Sequence, residues 1–316
     1  MSDRFASLPK RVGVAVVAIP TILWLAFQGG YLFFLLVAVI SAVSLFEFYR
    51  LAEHKGIFPQ KSVGMCFGFL VNLAFLYDRL NIDVLKLFES YGVRLSMFSL
   101  HQFLLFVLLI FLVVICLVEL FRRKGSPIQN AASTMLGVFI ISLFFGTLIQ
   151  TRELFPFGFP VSKFFPHAIA TSEDLIQINR WGGYTIISIL ATIWICDTAA
   201  YFGGMTLGRR KLFERVSPNK TWEGAVFGFV FSILTMLAAQ SLLLAYMSTT
   251  NAVIIGMMIG CFGQMGDLVE SRFKRDAGVK DSSSIIPGHG GVYDRFDSLV
   301  FVSPILYLYI DFVVLS

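Results

Sequence analysis

Charge is what this chain has least of. Only 14% of its 316 residues are Asp, Glu, Lys or Arg, whereas 57% are hydrophobic; soluble domains carry about 25% charged residues. A soluble core could not hide that much apolar surface, so a soluble domain is excluded and burial in a bilayer is implied. Cysteine is scarce as well. Cys66, Cys116, Cys196 and Cys261 all lie inside apolar runs, none with a CxxC or CxxH neighbour. A disulfide framework and a zinc site are thereby excluded, and the four read as small apolar residues. No basic tract is interleaved with the aromatics that an RNA-binding sheet needs, so no nucleic-acid partner is expected. The net charge of +5 carries topology information instead. Internal repeats and low-complexity tracts are also missing.

What is present is a series of apolar runs. A spanning helix needs about 20 such residues, and nine candidates fit: 12–28, 31–48, 62–77, 101–121, 131–150, 183–205, 224–246, 251–270 and 298–315. The expected fold is an all-α polytopic membrane protein. The first run follows the basic start MSDRFASLPKR and reads as a retained helix, since eight more follow it. Segments 1–11, 49–61, 122–130, 206–223 and 271–297 hold 19 of the 25 Lys and Arg residues. The positive-inside rule then places the N-terminus in the cytoplasm and the C-terminus outside, as an odd number of spans requires. Loop 78–100 has helical spacing of Leu80, Val84, Leu87 and Phe88 and reads as a helix flat on the outer interface. Loop 151–182 is rich in Phe and Pro and shows no chemistry. The 34 Phe residues read as lipid-facing or packing groups.

Acids inside spans are costly and mark function by default. Glu47 and Glu119 sit at cytoplasmic ends beside Arg50 and Arg122 at i+3, and read as helix-end ion pairs. Asp311 lies near the outer end and is given no role. Asp197 lies deeper, roughly 12 Å from the cytoplasmic end at 1.5 Å per residue. Small residues surround it in WICDTAAYFGG, which permits close helix contact or a cavity. On a continuing helix Asp267, Ser271, Lys274 and Arg275 share one face. The bland alternative is a structural ion pair of Asp267 with Lys274 or Arg275.

The segment from Gly266 to Asp297 concentrates charge as no other does. Lys274, Arg275, Lys280 and Arg295 supply cations, and Asp267, Asp281, Asp294 and Asp297 supply carboxylates. Gly288, Gly290 and Gly291 flank His289 and let backbone N–H groups come close to an anion. Hard oxygen ligands beside Lys and Arg are the makings of a Mg²⁺–polyphosphate site. A second loop, GRRKLFERVSPNKTWEG, adds Arg209, Arg210, Lys211, Arg215 and Lys220, with Ser217 and Thr221 as hydroxyl donors. It lacks GxxxxGK[ST], so no Walker-type ATPase is implied.

The pattern Ser271-x-x-Lys274-Arg275-x4-Lys280-Asp281-x5-Pro287-Gly288-His289-Gly290-Gly291-x-x-Asp294-Arg295-x-Asp297 resembles the signature of the phosphatidate cytidylyltransferases, also called CDP-diacylglycerol synthases. Upstream, Asp197-x-x-Ala200-Tyr201, Gly208-Arg209 and Ser217-Pro218-x-Lys220-Thr221-x-Glu223-Gly224 are similar to that family's other motif block. The resemblance covers roughly 185–300; the N-terminal half resembles the family only in being hydrophobic. Phe227-Gly228 and Ser283-Ser284 depart from the family pattern without touching a charged position.

The resemblance implies the reaction of CTP with phosphatidate to give CDP-diacylglycerol and pyrophosphate, at the cytoplasmic face of a bacterial inner membrane. It implies Mg²⁺ at the acids matching Asp267 and Asp294, with a second, monovalent cation such as K⁺ beside it. Ser271, Lys274, Lys280, Asp281 and Asp297 match the same catalytic site. Arg275 and Arg295 are expected to steady pyrophosphate, and Lys220 and Lys280 to hold either substrate. His289, Gly290, Gly291, Thr221, Ser217, Arg209 and Asp197 are expected at the substrates. The chain divides accordingly into N-terminal membrane helices over 1–180 and catalytic helices over 181–316. A homodimer is compatible with this reading. The rival readings are a CTP-dependent transferase or kinase acting on another lipid phosphate or polyprenol, and an ion-coupled transporter.

Overall fold

A computed structural model describes residues 2–93, 98–165, 170–286 and 290–316. The chain is helical along most of that length. It runs through α1 (Ser2–Gln28), α2 (Gly30–His54), α3 (Lys61–Ala74), α4 (Tyr77–Ser90) and α5 (Leu100–Phe121). Next come α6 (Pro127–Gly137), α7 (Phe144–Gly158), the single turn α8 (Val161–Phe164) and α9 (Ser172–Leu207). A small antiparallel hairpin, β1 (Lys211–Phe213) and β2 (Ser217–Thr221), interrupts the helices. The chain closes with α10 (Trp222–Leu243), α11 (Thr249–Met258), α12 (Gln264–Asp276) and α13 (Tyr293–Tyr309).

Seven helical segments among the described residues are long and apolar enough to cross a membrane. Seven of the nine candidate runs fall on them. Of the other two, the first lies on the shorter apolar stretch Ala15–Gln28, and 62–77 falls on α3, which bends by 75° into α4. The helix expected in loop 78–100 is α4.

Short sequence signals set the helix ends. Ser99 and Thr171 form capping boxes with Gln102 and Asp174, and Ser248 caps α11 through the Asn251 N–H. Gly29 and Gly30 link α1 to α2 at φ 69° and 56°, a region that an L side chain rarely adopts. A Cβ on Gly29 would also lie 2.5 Å from the Arg152 guanidinium. That guanidinium is fully buried and donates to the carbonyls of Ala26, Phe27 and Gln28 at 3.2, 3.0 and 3.4 Å, and to Asn179 Oδ1 at 2.8 Å. It thus caps the last carbonyls of α1, which have no partner within their own helix. Next to it Glu153 pairs with Arg79 of α4 at 2.8 Å and accepts the Gly30 N–H.

Three membrane helices contain a π-helical turn, the last of them at Ile310–Val314, and each turn frees backbone carbonyls. The turn Val138–Leu143 joins α6 to α7, and the Asn72 side-chain amide donates to the Ser142 carbonyl there. The turn Ile259–Gly263 joins α11 to α12, and Gln264 Nε2 donates to the Gly260 carbonyl at 2.7 Å. Inside a bilayer no water would satisfy those carbonyls, which explains the buried amide side chains.

The aromatic loop 151–182 has a packing role. Phe155, Phe159, Phe164, Trp181 and Tyr246 form one cluster with ring centroids 4.9–6.5 Å apart. Each such pair adds about 0.5–1.5 kcal/mol beyond area burial. The cluster and the Arg152 network lie at one end of the bundle. The charged segments lie at the other, where α2, α9, α10, α12 and α13 meet.

Candidate active site

Helix α9 delivers Asp197, and α10 packs along it. The two backbones come close because Gly224 has no side chain; a Cβ there would lie 2.6 Å from the Ala200 carbonyl. The hairpin fills the space between these helices. Glu223, in the first turn of α10, accepts the Arg209 and Arg210 N–H groups at 3.0 and 3.3 Å and fastens its base. Thr221 caps α10 by accepting the Gly224 N–H at 3.2 Å. With the hairpin held at both strands, Lys220 extends across to α12 and forms an ion pair with Asp267.

Helix α12 carries the rest of the acid–base set. Ser271 donates to Asp267 Oδ1 at 3.2 Å, as the i, i+4 spacing anticipates. Lys274 lies 2.6 Å from Glu270 Oε2 and 2.7 Å from Asp294 Oδ1. The structural ion pair considered for Asp267, with Lys274 or Arg275, is therefore not formed; its cation comes from the hairpin instead. Arg275 points away from the acids, with Nε 3.3 Å from the Val216 carbonyl and Nη1 3.1 Å from the Val279 carbonyl. These two bonds make the guanidinium a brace between the two loops, with its remaining N–H groups on an exposed side chain.

The loop into α13 folds around two carboxylates. Asp294 takes Lys274 Nζ, the Ser282 N–H and hydroxyl, and the Gly291 N–H at 2.7 Å. Gly290 has φ 86° and its carbonyl accepts the Ile286 N–H at 2.9 Å. The Gly291 amide thus does approach an anion, but the anion is the protein's own. A Cβ on Gly291 would lie 2.0 Å from Ser282 Oγ and 2.6 Å from the Glu47 carboxylate.

Glu47 is the second carboxylate and corrects the sequence reading. It is fully buried on α2 and accepts Ser283 Oγ at 2.5 Å, Ser282 Oγ at 3.0 Å, the Val292 N–H at 3.1 Å and the Tyr293 N–H at 2.8 Å. No ion pair with Arg50 forms among the described residues; Arg50 is exposed. The i+3 spacing that suggested the pair could not reveal a partner about 240 residues away. Glu119, by contrast, does pair with Arg122 at 2.8 Å.

These elements enclose a cavity of about 850 Å³. Its charged lining residues are Asp197, Lys220, Asp267, Lys274, Asp281, Asp294, Arg295 and Asp297. Apolar lining comes from α1 and α9, through Ala15, Ala18, Ile19, Ile22, Trp194, Tyr201 and Met205. The first helix therefore helps to build the site, which the division at residue 180 does not bound. Lys280 is exposed, and so is the Arg209 side of the hairpin base. Ser217 sits in β2 opposite Phe213. His289 lies outside the described residues.

Carboxylate oxygens of Asp267, Glu270 and Asp297 lie within 4.8 Å of one another, close enough to hold a metal ion. Both Glu270 oxygens are buried and lack an aligned hydrogen-bond donor, although Lys274 stands beside one of them. Three hard oxygens, one from each carboxylate, fit a divalent cation that prefers such ligands. Glu270 carries no role in the sequence reading; its position at i+3 from Asp267 and i−4 from Lys274 was the available signal.

A model of the cytidylyltransferase family matches residues 9–313. A Synechocystis protein named phosphatidate cytidylyltransferase is 32% identical over 308 residues, covering 95% of this chain and 96% of its own. A Bacillus subtilis protein of the same name is 30% identical over 300 residues, covering 95% and 96%. One from Staphylococcus epidermidis is 46% identical over 121 residues, covering 38% of this chain and 46% of its own.

Proposed function

This chain belongs to the cytidylyltransferase family, and from that premise we propose that it transfers the cytidylyl group of CTP to phosphatidate, releasing pyrophosphate. The observation that carries the reading is the cavity, whose lining combines eight charged side chains with apolar ones from α1 and α9. The two substrates differ in the same way. A nucleoside triphosphate needs cations and hard oxygen ligands, whereas the acyl chains of a lipid need hydrocarbon. A site that accepts both belongs where the bilayer meets water. The excess of Lys and Arg in the loops at this end supports the cytoplasmic side.

In the proposed reaction an oxygen of the phosphatidate phosphate attacks the α-phosphorus of CTP, and the bond to the bridging oxygen of pyrophosphate breaks. That nucleophile is already anionic, so no strong general base is required. None is evident among the described residues of the cavity, whose charged groups are carboxylates and cations. The obstacle is repulsion between two anions, and catalysis consists of screening and alignment. Lys220 and Arg295 face the cavity and supply positive charge to the approaching phosphates. Lys274 stays between Glu270 and Asp294, where it fixes the acids in place. Ser271 orients Asp267. Asp267, Glu270 and Asp297 are the proposed holders of Mg²⁺; Asp294, whose oxygens accept from Lys274, Ser282 and Gly291, would join them only by exchanging one of those donors for the ion. When bound, the ion would withdraw charge from the phosphate oxygens.

The test is incubation of the purified protein with phosphatidate, α-labelled CTP and Mg²⁺. Label is expected in a chloroform-soluble product that co-migrates with CDP-diacylglycerol. Label that stays water-soluble would overturn the proposal, and label in lipid only when a polyprenyl phosphate is supplied would reassign the acceptor.

A further inference from the structure

Helix α13 brings Asp294, Arg295 and Asp297 to the cavity, yet no side chain of its own caps its N-terminus. The first N–H groups of a helix have no partner within it and must find acceptors elsewhere. Here the Val292 and Tyr293 N–H groups are taken by Glu47, from a helix more than 200 residues earlier. The same carboxylate accepts the hydroxyls of Ser282 and Ser283, on the opposite arm of the loop. One carboxylate thus ties the arm that leads from Asp281 to the arm that starts α13. Both of its oxygens accept from each arm's neighbourhood: Oε1 from Ser283 and Val292, Oε2 from Ser282 and Tyr293.

The contact is specific in two further ways. Ser282 Oγ lies 3.0 Å from Glu47 and 3.1 Å from Asp294, so a single hydroxyl connects the two carboxylates. A hydroxyl carries one proton and donates to one of them at a time, so a change at Glu47 alters the bonding at Asp294. Gly291 leaves the room that this arrangement needs. The rings of Phe48 and Tyr293 meet edge to face with centroids 6.4 Å apart, and Glu47, between these residues' backbones, is fully buried. Among the described residues Glu47 has no ion-pair partner, so the donors aimed at it hold it, and its charge favours the helix N-terminus it faces.

We propose that Glu47 is a positioning residue for cytidylyl transfer: it sets the distance between the two arms of the 281–293 loop and so fixes Asp294 and Arg295 against the other acids. This rests on the proposed function of the cavity. Glu47 touches no reacting atom in this scheme, and it acts through Ser282, Gly291 and the start of α13.

The predictions separate positioning from simple stability. Replacing the carboxylate by an amide, Glu47→Gln, puts an NH₂ group against the N–H of Val292 or of Tyr293, which cannot reverse as the serine hydroxyls can, so the arm that starts α13 is released. Misplacement by about 1 Å can cost a hundredfold in rate, so kcat per folded molecule should fall at least ~10-fold, with KM for CTP within ~3-fold. Glu47→Asp keeps the charge and should recover part of that loss. Ser283→Ala should lower kcat by ~3-fold, and in the Glu47→Gln background it should have no further effect, since a bond that links the two arms positions nothing once one arm is free. Folded protein is quantified by size-exclusion chromatography, and label transfer is normalised to it.

A kcat for Glu47→Gln within twofold of wild type would overturn the inference, as would full additivity with Ser283→Ala. Should Glu47→Gln not fold, Ser283→Ala decides alone: an unchanged kcat overturns the inference and a reduced one with unchanged KM supports it. A wild-type protein that labels no lipid fails the proposed function instead, so the two failures are distinguishable.

Discussion

Replacing Lys274 by Met would test whether the acids of the cavity are held apart by one cation. Lys274 Nζ lies 2.6 Å from Glu270 and 2.7 Å from Asp294, and all three residues are buried. At an effective dielectric near 20, each attraction is about 6 kcal/mol before desolvation is subtracted. Asp294 keeps the Ser282 and Gly291 donors when the ammonium is gone. Glu270 is left with Asp294, a second acid, as its neighbour, and neither of its oxygens has an aligned donor. The loss should therefore fall mainly on Glu270, and breaking a buried pair of this kind costs about 3–5 kcal/mol. Denaturant titration in mixed micelles should show Lys274→Met less stable by that amount. Adding Glu270→Gln should restore roughly half, about 2 kcal/mol, by removing the stranded charge. If the two substitutions were additive within about 0.5 kcal/mol, Lys274 would not be neutralising Glu270, and the account of the cluster would be wrong. Turnover should be low in both variants, so stability and activity must be read separately.

Other substitutions probe other parts of the structure. Asp267→Asn and Asp294→Asn should each leave a folded protein that transfers almost no label from CTP to lipid, and an unchanged rate in either would remove it from the proposed metal site. Gly291→Ala would place a Cβ 2.0 Å from Ser282 Oγ; overpacking costs about 1–3 kcal/mol, and label transfer should fall together with the unfolding midpoint. Arg152→Met should destabilise by about 3 kcal/mol, from the loss of several hydrogen bonds to a buried charged group, while kcat per folded molecule stays at the wild-type value because Arg152 lies at the opposite end of the bundle. Arg275→Ala should act on the brace between the loops: heat stability should fall, and the KM for pyrophosphate in the reverse reaction should not change.

Much of the site was legible because its residue types are unusual in such a chain. Asp197, Lys220, Asp267, Lys274, Asp281, Asp294, Arg295 and Asp297 were all marked in the sequence, and all line one cavity. Their partners were less legible. Asp267 was considered beside cations on its own helix, where spacing is predictable, and instead pairs with Lys220 across a hairpin. Thr221 lines the cavity, and its oxygen also caps α10, a task the sequence reading did not assign to it. Gly291 was expected to bring its amide to an anionic ligand, and that amide serves Asp294. The small residues near Asp197 signalled close helix contact, which Gly224 and Ala200 provide.

The amino-acid sequence alone determined that this protein is a bundle of apolar helices and where its charge accumulates, because run length and i, i+4 spacing are local properties. It also carried the family's signature, residue by residue. Only the tertiary structure decided which charges meet. Glu47 and Ser282 are 235 residues apart, and Lys220 and Asp267 are 47 apart. Such pairs depend on how helices cross and how closely glycines let them approach. A carboxylate at a helix end looks the same in sequence whether it faces water, a neighbouring arginine, or the uncapped start of another helix. Packing chooses among these, since a buried carboxylate must find donors wherever the fold supplies them.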